Sequence, residues 1–224
     1  MIRPVLINFF GNKISRIESV ETMPPDILLA FLLERGKMLL RGIIRFRRFC
    51  FLGRGVILKC KKRIKIGKFV TIHDYTHIDA SSFRGIVIED YCAIGENSFI
   101  RSGNLASQDG YFIMRKGSSC NFNCFLGATG GLDIGKNVLI GPNVTILTEK
   151  HYYNNMSANI KDQGISKAPV IVEDDVWIGA NAVILGGNTI HSGAIVGAGS
   201  IVTRSVEKME IVTGNPAKSL KIRT

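Results

Sequence analysis

The chain has 224 residues, with 29 Lys+Arg against 18 Asp+Glu and 46% hydrophobic residues. That suits one domain, or a domain with an arm, and excludes wholesale disorder. Residues 1–65 hold 15 Lys/Arg and 4 Asp/Glu, whereas residues 66–224 hold 14 of each, so the whole formal charge of +11 lies in the first 65 residues. A nucleic-acid binder with basic residues spread over its fold is thereby excluded, because the larger part is neutral.

In chain order, the first feature is a short apolar stretch at residues 5–10, with no basic lead-in and no small-residue cleavage site, so no signal peptide is expected. Met23-Pro24-Pro25-Asp26 is a helix-start signal, and residues 27–51 can be drawn as a helix. On it Lys37, Arg41, Arg45 and Arg48 fall on one face, and Leu28, Leu32, Leu39, Ile43 and Phe46 share another. Gly36 and Gly42 weaken the helix. Residues 35–65 contain twelve Lys/Arg and no acid. Two readings of this region stand open: an interfacial helix or basic patch at an anionic membrane, or an arm packed on the body with its basic face in water. The longest apolar run, residues 27–33, is far below the roughly 18 residues of a spanning helix. The expected location is cytoplasmic, with peripheral contact at the inner face of the membrane under the first reading.

The five cysteines form no CxxC pair and are odd in number, so neither a disulfide framework nor a zinc site is expected. From Ile66 onward an aliphatic residue recurs every six positions: Ile66, Ile72, Ile78; Ile88, Ile94, Ile100; Ile134, Ile140, Ile146; and then Val172 through Val202. Glycine follows it at Gly67, Gly95, Gly135, Gly141, Gly179 and Gly197, and a small or β-branched residue comes four positions after it, with Asn188 the exception. A period of six fits neither a 3.6-residue helix nor two-residue alternation. It fits three short strands per turn, stacked as a prism whose narrow axis takes medium aliphatic side chains and rejects aromatic ones. Glycine is expected where the chain bends sharply.

These residues resemble the hexapeptide-repeat acyltransferases, and the resemblance implies an all-β, left-handed parallel β-helix and a homotrimer with active sites between subunits. The expected organisation is a basic, partly helical arm at 1–51, a β-helix at 52–206 with an inserted loop at 147–171, and a C-terminal segment at 207–224. The loop, opening at His151-Tyr152-Tyr153, resembles the one that closes the acceptor site in sugar O-acetyltransferases of the galactoside and maltose type. Ile134-Gly135-Lys136-Asn137-Val138-Leu139-Ile140-Gly141-Pro142-Asn143-Val144-Thr145 is similar to the coil that leads into their catalytic histidine. Asp175-Val176-Trp177-Ile178-Gly179-Ala180-Asn181, Gly197-Ala198-Gly199-Ser200-Ile201-Val202 and Gly214-Asn215-Pro216-Ala217-Lys218 resemble their acetyl-CoA coils and terminal segment.

The resemblance implies His151 as general base, since a sugar hydroxyl must lose its proton as it attacks a thioester and imidazole titrates near neutrality. It also implies Asn121, in an Asn-Phe-Asn segment thirty residues before His151, as an oxyanion donor. Thirty residues is one coil plus two faces, which puts the two side chains on different faces of one chain. The alternative for Asn121 is satisfaction of a local turn. For acetyl-CoA, Ala180 and Ala198 match the small residues along the pantetheine arm, Thr203 and Arg204 a contact pair near the adenine, and Lys218 and Lys221 basic residues that meet phosphates. Glu173 replaces a usual glycine. His73, His77 and His191 are expected at the surface, no metal is expected, and Trp177 is expected to pack at the coil edge. Direct transfer from acetyl-CoA to a hydroxyl of a surface polysaccharide or its precursor leads, because no acyl-enzyme signature is present. Transfer to an amino sugar, xenobiotic or antibiotic on the same scaffold, and a non-catalytic β-helix, are the alternatives.

Overall fold

The computed structural model describes residues 24–104 and 108–224; the apolar stretch at 5–10 and the rest of the arm before Pro24 lie outside the described residues. Among the described residues one helix, α1 (Pro25–Phe46), precedes a β-solenoid of about seven turns. Three faces repeat. The first carries Phe51–Leu52, Thr71–Ile72, Ala93–Ile94, Ser119–Cys120, Leu139–Ile140, Trp177–Ile178 and Ile195–Val196, all parallel. The second runs from Ile57–Lys59 to Ile201–Val202, and the third from Ile64–Ile66 to Thr189–Ile190. Every rung bonds the backbone of the turn above and below, so short strands that could not stand alone stabilise one another.

The six-residue repeat becomes three interior columns. On the first face Leu52, Ile72, Ile94, Cys120, Ile140, Ile178 and Val196 stack in register, each at most 4% exposed. The small residue four positions on is also interior: Val70, Thr76, Cys92, Ser98, Val138, Val144, Val176, Ala182, Ala194, Ser200 and Val206 are buried, and the exceptional Asn188 gives its Nδ2–H to Leu185 O at 2.7 Å.

Four details depart from the sequence reading. A turn at Phe112–Met114, Ser119–Cys120 and Phe125–Gly127 continues the columns with Met114, Cys120 and Leu126, residues without the isoleucine signature. Phe112 is fully buried between Ile86 and Leu132, so the interior does accept an aromatic ring. The sharp bend lies three positions after the aliphatic residue, where Asn97, Asn123, Asn143 and Asn181 take φ between 55° and 59°. The glycine directly after the aliphatic residue serves close approach instead: a Cβ on Gly141 would lie 2.7 Å from Ala180 N, and one on Gly179 2.5 Å from Ala198 N.

The solenoid also continues past residue 206. Glu210–Thr213 extends the first face in parallel, and Lys218–Ile222 turns back antiparallel on it as the terminal strand. The inserted segment leaves after Thr145–Ile146 and returns at Val170–Val172, with an antiparallel hairpin of Glu149–His151 and Ile165–Lys167 at its base.

α1 stops at Arg47, which adopts φ 53° and bonds Ile43 O, so the helix is shorter than the sequence suggested. The expected basic face is only partly drawn in: Lys37, Arg45 and Arg48 are exposed, and Arg41 is half-buried. Met38 and Gly42 are buried toward the solenoid, the Arg35 guanidinium lies 3.6 Å over the Phe51 ring, and Arg41 and Arg45 donate to Leu52 O and Val56 O at 3.4 Å each. The open end of the first turn has carbonyls without a preceding rung, and guanidinium groups supply donors to them. No helix among the described residues is long and apolar enough to cross a membrane.

Candidate active site

Asn121 follows the strand Ser119–Cys120 at the corner where the first face passes to the second. Its Oδ1 accepts the Phe122 N–H at 2.8 Å, a local turn bond that leaves Nδ2 available to donate. The column at this corner is His73, Gly95, Asn121 and Gly141, followed one position on by Ala180 over Pro142. These residues, with Leu139 and Trp177, border a groove of about 580 Å³. Asn121 and Ala180, singled out separately in the sequence, thus share one wall. Ala198 lies in the next turn of the same column, its N closest to Gly179. Alanine and glycine at this corner leave the backbone open to a ligand lying along it.

His151 ends the first strand of the hairpin, pairs with Ile165, and is exposed. The hairpin leaves from the end of the second face, so within one chain His151 and Asn121 occupy different corners. Gln163 fastens the loop: its Oε1 accepts the Asn155 N–H, and its Nε2 donates to Asn155 O and Ala158 O, each at 3.0 Å. Tyr152 and Tyr153 remain exposed beside the histidine. Glu149 shares a side of its strand with His151 by two-residue alternation, and its Oε2 is buried without a hydrogen-bond partner. In the sequence Glu149 is marked only as an acid two positions before a histidine.

The remaining histidines divide. His73 is half-buried in the groove, not a surface residue, and burial followed by the nearby Arg35 cation lowers its pKa, which keeps it neutral at neutral pH. His77 is also half-buried, edge-on to Phe99 at 4.6 Å, and desolvation likewise lowers its pKa. His191 accepts a partner in Glu173, Nδ1 to Oε1 at 3.1 Å. The Ser192 N–H, then the Ser192 hydroxyl and His191, hold the Glu173 carboxyl below its ordinary range even against burial. Glu173 therefore ties two turns together where glycine is usual. Trp177 is half-exposed on the groove wall, so it borders ligand space as well as the coil edge.

Thr203 and Arg204 are exposed after the strand Ile201–Val202, but Arg204 is engaged: its guanidinium meets the buried Glu210 carboxylate at 3.2 Å and Ser205 O at 3.1 Å. Lys218 and Lys221 stand exposed on the terminal strand. Among the described residues no three His, Cys, Asp or Glu side chains converge as a metal site needs. Cys50, Cys92, Cys120 and Cys124 are buried free thiols, and Cys60 is exposed.

A family model described as the hexapeptide repeat of succinyl-transferase matches residues 169–204. The galactoside O-acetyltransferase of Lactococcus lactis is 33% identical over 128 residues, covering 56% of this chain and 60% of that one. The galactoside O-acetyltransferase of Escherichia coli is 27% identical over 164 residues, covering 72% and 79%. The first relatives are matched over part of their length only: 48% of a Schizosaccharomyces pombe protein and 60% of the Lactococcus enzyme. Among solved structures, AntD, an N-acyltransferase from Bacillus cereus in complex with dTDP and 3-hydroxybutyryl-CoA, superposes with a TM-score of 0.51 over 83% of this chain and 88% of that one. At 17% identity this likeness bears on the fold alone.

Proposed function

We propose that this chain, which belongs to the hexapeptide-repeat β-helix acetyltransferase family, transfers an acetyl group from acetyl-CoA to a hydroxyl of a sugar in a surface polysaccharide or its precursor. The observation that carries the reading is the groove that unites Asn121 with Ala180, beside the column of small corner residues that ends at Ala198. Two relatives bear the name galactoside O-acetyltransferase, which supports acetyl as the group and a sugar hydroxyl as the acceptor.

The pantetheine arm would lie along the corner over Ala180 and Ala198, where no side chain beyond Cβ keeps it from the backbone. Lys218 and Lys221 are free to meet its phosphates as point charges. Arg204 could join them only by sharing or leaving Glu210, so Thr203 is the freer contact near the adenine. His151 would take the proton of the attacking hydroxyl, a role typically worth about 10²–10⁴-fold in rate. The Asn121 Nδ2–H would donate to the carbonyl oxygen as negative charge develops on it. The thiol of CoA leaves with a proton, and no covalent acyl-enzyme is needed.

Because His151 and Asn121 stand at different corners of one chain, a complete site requires a neighbouring copy to bring its loop over this groove. The proposed assembly is a homotrimer, and the proposed location is the cytoplasm. The test is acetyl-CoA thioester cleavage with a galactoside acceptor by wild type and His151→Ala. A loss of at least about a hundredfold in kcat is expected; undiminished transfer overturns the assignment of the base. Transfer to an amino sugar with none to any hydroxyl would favour N-acylation on the same scaffold, a reading supported by 59% identity over 56 residues to a tetrahydropyridine-2,6-dicarboxylate N-acetyltransferase of Staphylococcus aureus.

A further inference from the structure

α1 meets the solenoid through Arg35, Met38 and Gly42 and leaves an apolar stripe on the outside. Leu29, Leu33, Leu40 and Ile44 are spaced 4, 7 and 4 residues apart, one stripe on a 3.6-residue helix, and they are 58%, 56%, 59% and 73% exposed. Phe49, 61% exposed, adds to the apolar surface just beyond the helix. An amphipathic helix docked on a soluble body ordinarily does the reverse. Isolated exposed leucines need no explanation, but a contiguous stripe of large aliphatic side chains does.

The surroundings of the stripe are cationic. Lys37 lies on its flank, Arg47 and Arg48 follow at the helix end, and Lys61, Lys62 and Arg63 form an exposed 3-10 turn nearby in the first coil. Lys61 reaches back over the Phe46 ring at 5.4 Å, which keeps this cationic turn beside the end of the helix. Residues 35–65 hold twelve cations and no acid; Lys37 and Arg41 are engaged by Glu34 at 3.5 and 3.8 Å and Arg54 and Lys59 by Asp74 and Asp79 at 2.9 and 3.7 Å, which leaves the cations at the end of the helix and in the 3-10 turn in excess. Apolar side chains flanked by an excess of cations are complementary to one kind of surface, an anionic lipid headgroup layer over acyl chains. A protein partner would need acidic residues ringing an apolar groove, and a second copy of this helix would bring its own positive charge against this one.

We propose that α1 is an interfacial anchor: it lies in the plane of an anionic bilayer with Leu29, Leu33, Leu40 and Ile44 inserted and Lys37, Arg47, Arg48 and the Lys61–Arg63 turn on the headgroups, holding the open end of the solenoid toward the membrane. The arginines that cap the first turn, Arg41 and Arg45, fix the orientation of the stripe.

The test uses the full chain and sucrose-loaded vesicles of phosphatidylcholine, with or without about 30% phosphatidylserine, in sedimentation. Wild type should bind the anionic vesicles at least about tenfold more tightly than the neutral ones, and less tightly in about 0.5 M NaCl. The double variant Leu40→Asp, Ile44→Asp should lose at least about tenfold of that binding, while Ile171→Asp on the outer side of the third face leaves it unchanged. Circular dichroism and transfer to a water-soluble acceptor check that the double variant is folded, and they separate failure of the anchor from failure of the proposed chemistry. Binding that ignores lipid charge, binding untouched by the double variant, or a change in oligomeric state without a change in vesicle binding would each overturn the proposal.

Discussion

Ile178 sits in the middle of the first-face column, fully buried, with Ile140 below it and Val196 above in parallel register. Ile178→Ala removes Cγ1, Cγ2 and Cδ1. At about 0.8 kcal/mol per buried methylene, the lost transfer energy is about 2.4 kcal/mol. The coil cannot close on the gap, because Gly141 N bonds Ile178 O and Gly179 N bonds Val196 O, both at 2.8 Å, and these rungs fix the spacing of the turns. A residual cavity of about 40 Å³, at about 24 cal/mol per Å³, adds about 1 kcal/mol. The expected loss is therefore about 3.5 kcal/mol, against about 1 kcal/mol for Ile178→Val and less than about 1 kcal/mol for the outward, 41% exposed Ile171→Ala. Guanidinium unfolding at fixed protein concentration measures it, read by the single tryptophan, Trp177, and by circular dichroism as an independent probe. Fixed concentration matters because assembly contributes to apparent stability. A loss below about 1 kcal/mol, or one no larger than that of Ile171→Ala, would refute the picture of a rigid column that cannot collapse.

Two further outcomes test the groove and the terminal hairpin. Ala180→Leu should raise KM for acetyl-CoA by about 10-fold or more with little change in kcat, since the added side chain fills the corner along which the arm is proposed to lie; steady-state kinetics with varied acetyl-CoA decide it, and an unchanged KM counts against that path. Glu210 is buried, which alone would raise its pKa, but the Glu207 N–H, Ser219 and Arg204 outweigh burial and hold it below its ordinary value of 4.5. A carboxyl lowered in the folded state contributes stability above its unfolded pKa and loses it as pH falls through the folded one. Glu210→Gln should therefore melt lower than wild type at pH 7, with the gap narrowing steadily below about pH 4.5; a gap independent of pH would mean that the ionised carboxylate is not what matters.

The reach of the sequence is clearest in the columns. A side chain stacked above its own counterpart every turn must repeat in type, and the isoleucines at six-residue spacing record that constraint directly. The constraint is on size and apolarity and not on isoleucine itself, so Phe112, Met114 and Cys120 fill the same columns without repeating its letter. The corner at Asn121 and Ala180 was legible only as two separate resemblances, because the residues are far apart in sequence and adjacent only through stacking. His73 carried no signal at all: its place in the groove comes from the number of residues in each turn beneath Asn121.

The chain's charge divides the same way. Its sequence by itself determined that the first 65 residues hold the net positive charge and that the rest repeats as a solenoid, because composition and period are local properties. It also determined which helix residues of α1 share a face. Which of those faces meets the protein was decided by tertiary structure. The first coil exposes carbonyls that need donors, and Arg41 and Arg45 reach Leu52 O and Val56 O, so the side bearing Arg35, Met38 and Gly42 meets the solenoid and Leu29, Leu33, Leu40 and Ile44 are left outside.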